Sequence, residues 1–190
     1  MLDIAFDSSI LIGISRLYIN HINYPRKKEE KPLFEIRDMI INGEINAIVT
    51  QTVYREIKRG KSHDNGLAQK FINAYCDVII PTQYEKDKAL CVTDAYGNLQ
   101  IKEHAAIHLA EDGTQPNYAD ATIVAEVSVE QKMAGKHIPF VTANLRDVND
   151  LSRINIVNKR HGLPEIFICS VGRFKDAYYF AKREDKEHSL

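Results

Sequence analysis

The stretch MLDIAFDSSILIGISRLY, residues 1–18, decides the fold class. Leu2, Ile4 and Phe6 alternate and merge into an apolar run that stops at Asp7-Ser8-Ser9, after which ILIGISRLY resumes with helical spacing. Strand, short turn and helix follow in that order. Ser8 or Ser9 suits the cap of that helix, because a hydroxyl accepts from the unpaired N–H groups of a first turn; Asp7 is the alternative. The same unit recurs at INAIVT, a β-branched run, and QTVYREIKRG, where Val53 and Ile57 restore helical spacing before Gly60.

Outward from these two units the alternation continues. LFEIRDMIINGE spaces Leu33, Ile36, Met39 and Ile40 as a helix that ends at Gly43. NGLAQKFINAY reads as a helix and DVIIP as a strand; helical patterns then recur from Tyr84 to Leu109 around an expected turn at Tyr96-Gly97-Asn98. Pro116 is expected to open the helix NYADATIVAEVSVEQKMAGK, followed by the strand HIPFVTAN. EIFICSV is a last strand, and residues 172–190 hold a last helix with Phe174, Ala177, Tyr178 and Ala181 on one face. The charged, aperiodic NHINYPRKKEEKP is a solvated loop. Strands alternating with helices predict a three-layer α/β/α domain around a mainly parallel sheet. At roughly 150 residues per domain, residues 1–190 form a single domain.

Composition narrows the function. Lys and Arg number 25 against 26 Asp and Glu, a net charge of -1, so any nucleic acid or anionic surface must be held by a local patch rather than by an overall field. Cys76, Cys91 and Cys169 are odd in number and widely spaced, which fits a reducing cytosol rather than a disulfide framework. The apolar start is short and carries Asp3 and Asp7, so neither a leader peptide nor a membrane span is expected there.

In open parallel sheets ligands gather beyond the carboxyl ends of the strands, and here those positions are acidic. Asp7 ends the first strand. Glu56 lies on the helix after the second, beside its inward face. Asp120 heads the stripe Ile123, Val124, Val127, where an unpartnered carboxylate would cost several kcal/mol and so calls for a cation, a hydrogen-bond cluster or a raised pKa. Asp147 follows the strand HIPFVT. Each has an ordinary reading as well: helix cap, first-turn acid, solvated face or loop ion pair.

The segments DSSILIGI, TQTVYREI, NYADATIVAE and FVTANLRDV, in this order, resemble the four acidic motifs of PIN-domain nucleases, the group that includes VapC-type toxin ribonucleases. The resemblance covers most of residues 1–148. It implies a PIN-like fold, with Asp7, Glu56, Asp120 and Asp147 as catalytic and metal-binding acids, Asp150 being a rival to Asp147. It also implies Ser8, Thr142 and Asn144 as donors that hold those carboxylates. Oxygen ligands without Cys or clustered His suit Mg²⁺ or Mn²⁺ rather than Zn²⁺. The implied activity is metal-dependent hydrolysis of RNA, most simply as an endonuclease. The implied partners are an RNA substrate, a cognate antitoxin and a second copy in a homodimer, with no membrane and a cytoplasmic location. A catalytically inactive PIN-like RNA-binding or protein-interaction module is the alternative.

Arg16, Arg55, Lys58, Arg59, Lys61 and Arg146 are candidates for phosphate contacts, each also readable as part of a solvated helix face, and Tyr54 and Tyr118 could stack on bases. His104 and His108, at i and i+4 of an expected helix, lack H-E-x-x-H and a third ligand. Neither a G-x-G-x-x-G nor a G-x-x-x-x-G-K-[ST] segment occurs, which removes the motifs of dinucleotide and P-loop sites; G-x-S-x-G is missing too.

Overall fold

The computed structural model describes residues 1–20, 25, 28–98, 108–109, 116–117, 119–143 and 151–187. Strand β1 (Leu2–Phe6) buries Ile4, Ala5 and Phe6 completely, as a strand covered on both faces must. It leads into α1 (Ser8–Ile19), then α2 (Lys31–Ile41), β2 (Ile45–Val49), α3 (Gln51–Arg59), α4 (His63–Tyr75), β3 (Cys76–Val78) and α5 (Gln83–Asn98). A two-residue pair follows, β4 (His108–Leu109) antiparallel to β5 (Pro116–Asn117). The chain continues through α6 (Ala119–Ala134), β6 (Phe140–Thr142), α7 (Leu151–Arg160), β7 (Ile168–Ser170) and α8 (Phe174–Glu187).

Five strands form one parallel sheet in the order β3-β2-β1-β6-β7. From β1 the chain steps outward twice in one direction, to β2 and β3, then returns to the other side of β1 for β6 and β7. Right-handed crossovers therefore put α1 to α4 on one face and α5 to α7 on the other. The packing agrees, since α1 lies against α4 while α5 lies against α6 and α7; α8 returns over β1, β6 and β7. The expected three-layer α/β architecture is thus observed, and the change of direction falls between β1 and β6.

The local chemistry explains most boundaries. Gly43 at φ 71° and Gly135 at φ 64° take the left-handed conformation that ends α2 and α6. Five expectations need correction. The cap of α1 is Asp7, whose carboxylate accepts from Ile10 N, rather than Ser8 or Ser9. Residues Tyr96-Gly97-Asn98 do not turn: they complete α5, because Tyr96 is buried and hydrogen-bonds Asn158 at 2.5 Å. Pro116 does not open α6, since it pairs with Leu109 in a strand, and the helix starts at Ala119. His108 lies in that same strand pair rather than on a helix; His104 lies outside the described residues. Within the expected loop, Lys28–Glu30 form a 3-10 turn that runs into α2.

One helix was unanticipated. In α7, Ile154 and Val157 are buried together with Asn158, which is fully buried. Its amide donates to Ser128 Oγ (3.0 Å) and the Pro164 carbonyl (3.1 Å) while its oxygen accepts from Tyr96, so the polar group is satisfied in all three directions. No helix among the described residues is long and apolar enough to cross a membrane.

Candidate functional site

The carboxyl ends of the strands form a level polar rim. The register pairs Phe6 with Val141 and Thr142 with Ser170, and two residues beyond the pair Ala5 and Ile48 it brings Asp7 near Thr50. Ser170, Thr142, Asp7 and Thr50 therefore follow one another across the sheet edge. Thr50 caps α3 by accepting from Val53 N, as Asp7 caps α1.

Asp7 is only 6% exposed, and its carboxylate is held from two sides of the switch point. Oδ1 accepts from Ser9 Oγ (2.7 Å) and Ile10 N (3.0 Å). Oδ2 accepts from Thr142 Oγ1 (2.6 Å) and Ala143 N (2.9 Å). An ionised carboxylate has about four lone-pair sites, so these donors fill them and stabilise the charge, with the positive end of α1 adding to the effect. The expected donor Thr142 thus stands on Asp7. The second hydroxyl is that of Ser9, not Ser8, because Ser8 opens the helix and Ser9 follows it on the carboxylate's side.

Glu56 is half-buried on α3, one turn beyond Thr52, and Asp120 is half-buried in the first turn of α6. Neither is without a partner. Among the described residues no three His, Cys, Asp or Glu side chains gather closely enough to hold a metal ion. Asn144, Arg146, Asp147 and Asp150, with Tyr118, lie outside the described residues. The donor chemistry, carboxylate oxygens only, fits a hard divalent ion, while Asp7 already has four protein donors.

Of the basic candidates, Arg55, Lys58, Arg59 and Lys61 are exposed on α3 and just beyond it. Arg16 is exposed too, but its guanidinium pairs with Asp64 of α4 and, chiefly through that hydrogen bond, holds the Asp64 carboxyl below the usual carboxylate range. Tyr54 packs partly buried against the core.

Sequence reasoning missed Glu126. From the middle of α6 its Oε2 accepts from Thr52 N (3.1 Å) and its Oε1 from Thr52 Oγ1 (2.9 Å), a two-point grip on the first turn of α3. Because Glu126 falls outside the stripe Ile123, Val124, Val127, it reads in sequence as solvated. Beside this contact lies a cavity of about 330 Å³ between α3, α5 and α6, walled in part by Arg55, Glu85, Lys86 and Glu130. Partial burial, with Glu85 and Asp3 nearby, raises the Glu130 carboxyl above its ordinary value.

No protein-family model matches the sequence, and no curated protein matches it. Among solved structures, a chain in the crystal structure of VapBC2 from Rickettsia felis bound to a DNA fragment from their promoter is similar at a TM-score of 0.49 and 9% identity, over 89% of this chain and 98% of that one. At this level of likeness the functional reading rests on the side chains of this chain.

Proposed function

We propose that the chain is a metal-dependent ribonuclease, an endonuclease that hydrolyses RNA phosphodiesters, with Asp7, Glu56, Asp120 and Asp147 as its acids and Mg²⁺ or Mn²⁺ as the ion they hold. The observation that carries the proposal is the 2.6 Å hydrogen bond from Thr142 to Asp7. It joins two acidic-motif segments 135 residues apart at the point of the sheet where ligands are expected.

Ser9, Thr142 and the Ala143 N–H fix the rotamer of Asp7, so that its carboxylate is held in a defined orientation at the carboxyl end of the sheet. Asp120 stands in the first turn of α6, where an acid suits the positive end of the helix. A divalent ion supplies, when bound, a water of lowered pKa and charge stabilisation on the scissile phosphate. Exposed Arg55, Lys58, Arg59 and Lys61 take phosphates of the strand, while Arg16 is committed to Asp64. On this reading the partners are RNA and, in a toxin-antitoxin pair, a cognate antitoxin; a homodimer is part of the same proposal.

Total RNA incubated with Mn²⁺ is the test. Cleavage is expected with the native chain, none in EDTA, and a loss of at least about a hundredfold in Asp120→Asn, more than the usual effect of a residue that only orients a ligand. One observation favours a second reading. The four donors on Asp7 satisfy it without any metal, as suits a PIN-like module that binds RNA or protein and does no chemistry. RNA binding with no cleavage in Mn²⁺ would establish that reading instead.

A further inference from the structure

We infer that Glu126 is a positioning residue that sets the spacing and rotation of the two helices carrying Glu56 and Asp120. The inference rests on the proposed site and concerns a side chain with no place in its acid set. Helices α3 and α6 pack against each other, and the Glu126 carboxylate reaches across to both the amide and the hydroxyl of Thr52. A single hydrogen bond would fix only a distance. Two bonds from one carboxylate to two groups of one residue also fix the turn of α3 about its axis.

That turn matters because Thr52 and Glu56 are spaced i and i+4 and share one face of α3, so holding the first orients the second. On the other helix, Glu126 follows Asp120 by six residues, about 9 Å along the axis at 1.5 Å per residue. The grip is therefore made one turn from Glu56 on α3 and between one and two turns from Asp120 on α6, so it can hold both helices without using either acid. A side-chain oxygen is suited to that place, since the first-turn amides of α3 lack partners within the helix.

The test uses the full chain in two measurements. Glu126→Ala removes the grip; Glu126→Gln retains its shape, with the amide oxygen accepting from Thr52 N and the amide nitrogen donating to Thr52 Oγ1. In Glu126→Ala the Thr52 amide is expected to exchange with solvent at least about tenfold faster by NMR, and Glu126→Gln to stay within about threefold of the native chain. In RNA cleavage, Glu126→Ala is expected to raise the Mn²⁺ concentration for half-maximal rate at least about fivefold, by more than it lowers the rate at saturating Mn²⁺, and Glu126→Gln to recover most of that shift. A variant that merely loosens the fold would lower the saturated rate and leave the Mn²⁺ midpoint in place. Unchanged Thr52 protection in Glu126→Ala overturns the inference, as does an unchanged Mn²⁺ midpoint. A native chain that cleaves nothing refutes the ribonuclease and, with it, the part of the inference that concerns the acids, while the exchange rates still decide whether Glu126 holds α3. Should Glu126→Ala not fold, Thr52→Val, which loses only the hydroxyl bond, is read by the same two measurements.

Discussion

Replacing Asp7 by Asn separates two jobs that the carboxylate could hold. As a cap and cross-link it stabilises the folded chain; as one acid among several it would repel its neighbours and destabilise the chain without metal. The structure gives the balance. The Asn oxygen can keep Ile10 N and Ser9 Oγ, but the amide NH₂ then meets the Ala143 N–H, donor against donor, while the Thr142 hydroxyl can rotate to accept. Losing the Ala143 bond to a charged acceptor costs about 1.5 kcal/mol, and turning the three remaining charge-assisted bonds into neutral ones costs about 0.5 kcal/mol each, or roughly 3 kcal/mol in all. For a chain of this size that is a fall in Tm of about 6–12 °C. Thermal and urea denaturation in EDTA, followed by circular dichroism, measures it. A Tm unchanged or raised in Asp7→Asn would refute the reasoning, because it would mean that relief of repulsion outweighs the lost Ala143 bond and the weakening of the others. The expected loss also makes Asp120→Asn the cleaner variant for testing catalysis, since an inactive Asp7→Asn protein would report stability and chemistry together.

Other outcomes follow from buried groups. Burial, with Asp77 next, pushes the Cys76 thiol up to about 12, and burial, with Asp176 next, pushes Cys169 up to about 11, whereas Cys91 is exposed. A thiol reagent at pH 8 should therefore modify one cysteine of the native chain quickly and all three after unfolding; mass mapping to Cys76 or Cys169 before Cys91 would contradict this. For an acid whose folded pKa is raised, the unfolded chain releases its proton first, so the stability is complete below about pH 9 and declines as pH rises toward 11 or 12. The decline approaches about 1.4 kcal/mol per pH unit for each thiol, and urea denaturation at a series of pH values should show a shallower slope in Cys76→Ala. Asn158→Leu takes from Tyr96 and the Pro164 carbonyl their bonds to Asn158 at a fully buried site, while Ser128 keeps its bond to the Val124 carbonyl; at about 1–3 kcal/mol for each unmade bond it should lower stability by about 2 kcal/mol or more. A loss below about 1 kcal/mol would mean that α7 is not anchored by this residue.

What was legible in the sequence was whatever repeats at short range. Buried strands such as Ile4-Ala5-Phe6 and apolar stripes such as Phe174, Ala177 and Ala181 mark their elements because burial imposes a period on neighbouring residues. Helix α7 broke that rule. Asn155 and Asn158 look solvated, yet each hydrogen-bonds chain brought near by the fold, Asn155 at the Ile166 backbone and Asn158 at Tyr96, Ser128 and Pro164. Gly97 misled in the opposite sense: its flexibility suggested a turn, but the buried Tyr96 beside it holds the helix on course.

The rim divides the same way. Asp7 was visible because a carboxylate at a strand end is unusual enough to name, and Thr142 because FVTANLRDV resembles the fourth acidic motif of PIN-domain nucleases. Two of the groups that shape the site could not be: Ala143 contributes a backbone N–H, which any residue but proline has, and Glu126 works on α3 from a position that its own helix leaves unmarked. A motif records which groups are chemically distinctive. The arrangement that makes them useful depends on hydrogen bonds between segments that only the sheet order β2-β1-β6 brings side by side. Substitutions at Glu126 and at Asp7 should accordingly differ in kind. At Asp7 the loss is one of folded-state stability, whereas at Glu126 a shape-preserving amide should suffice, because what that side chain supplies is orientation rather than charge.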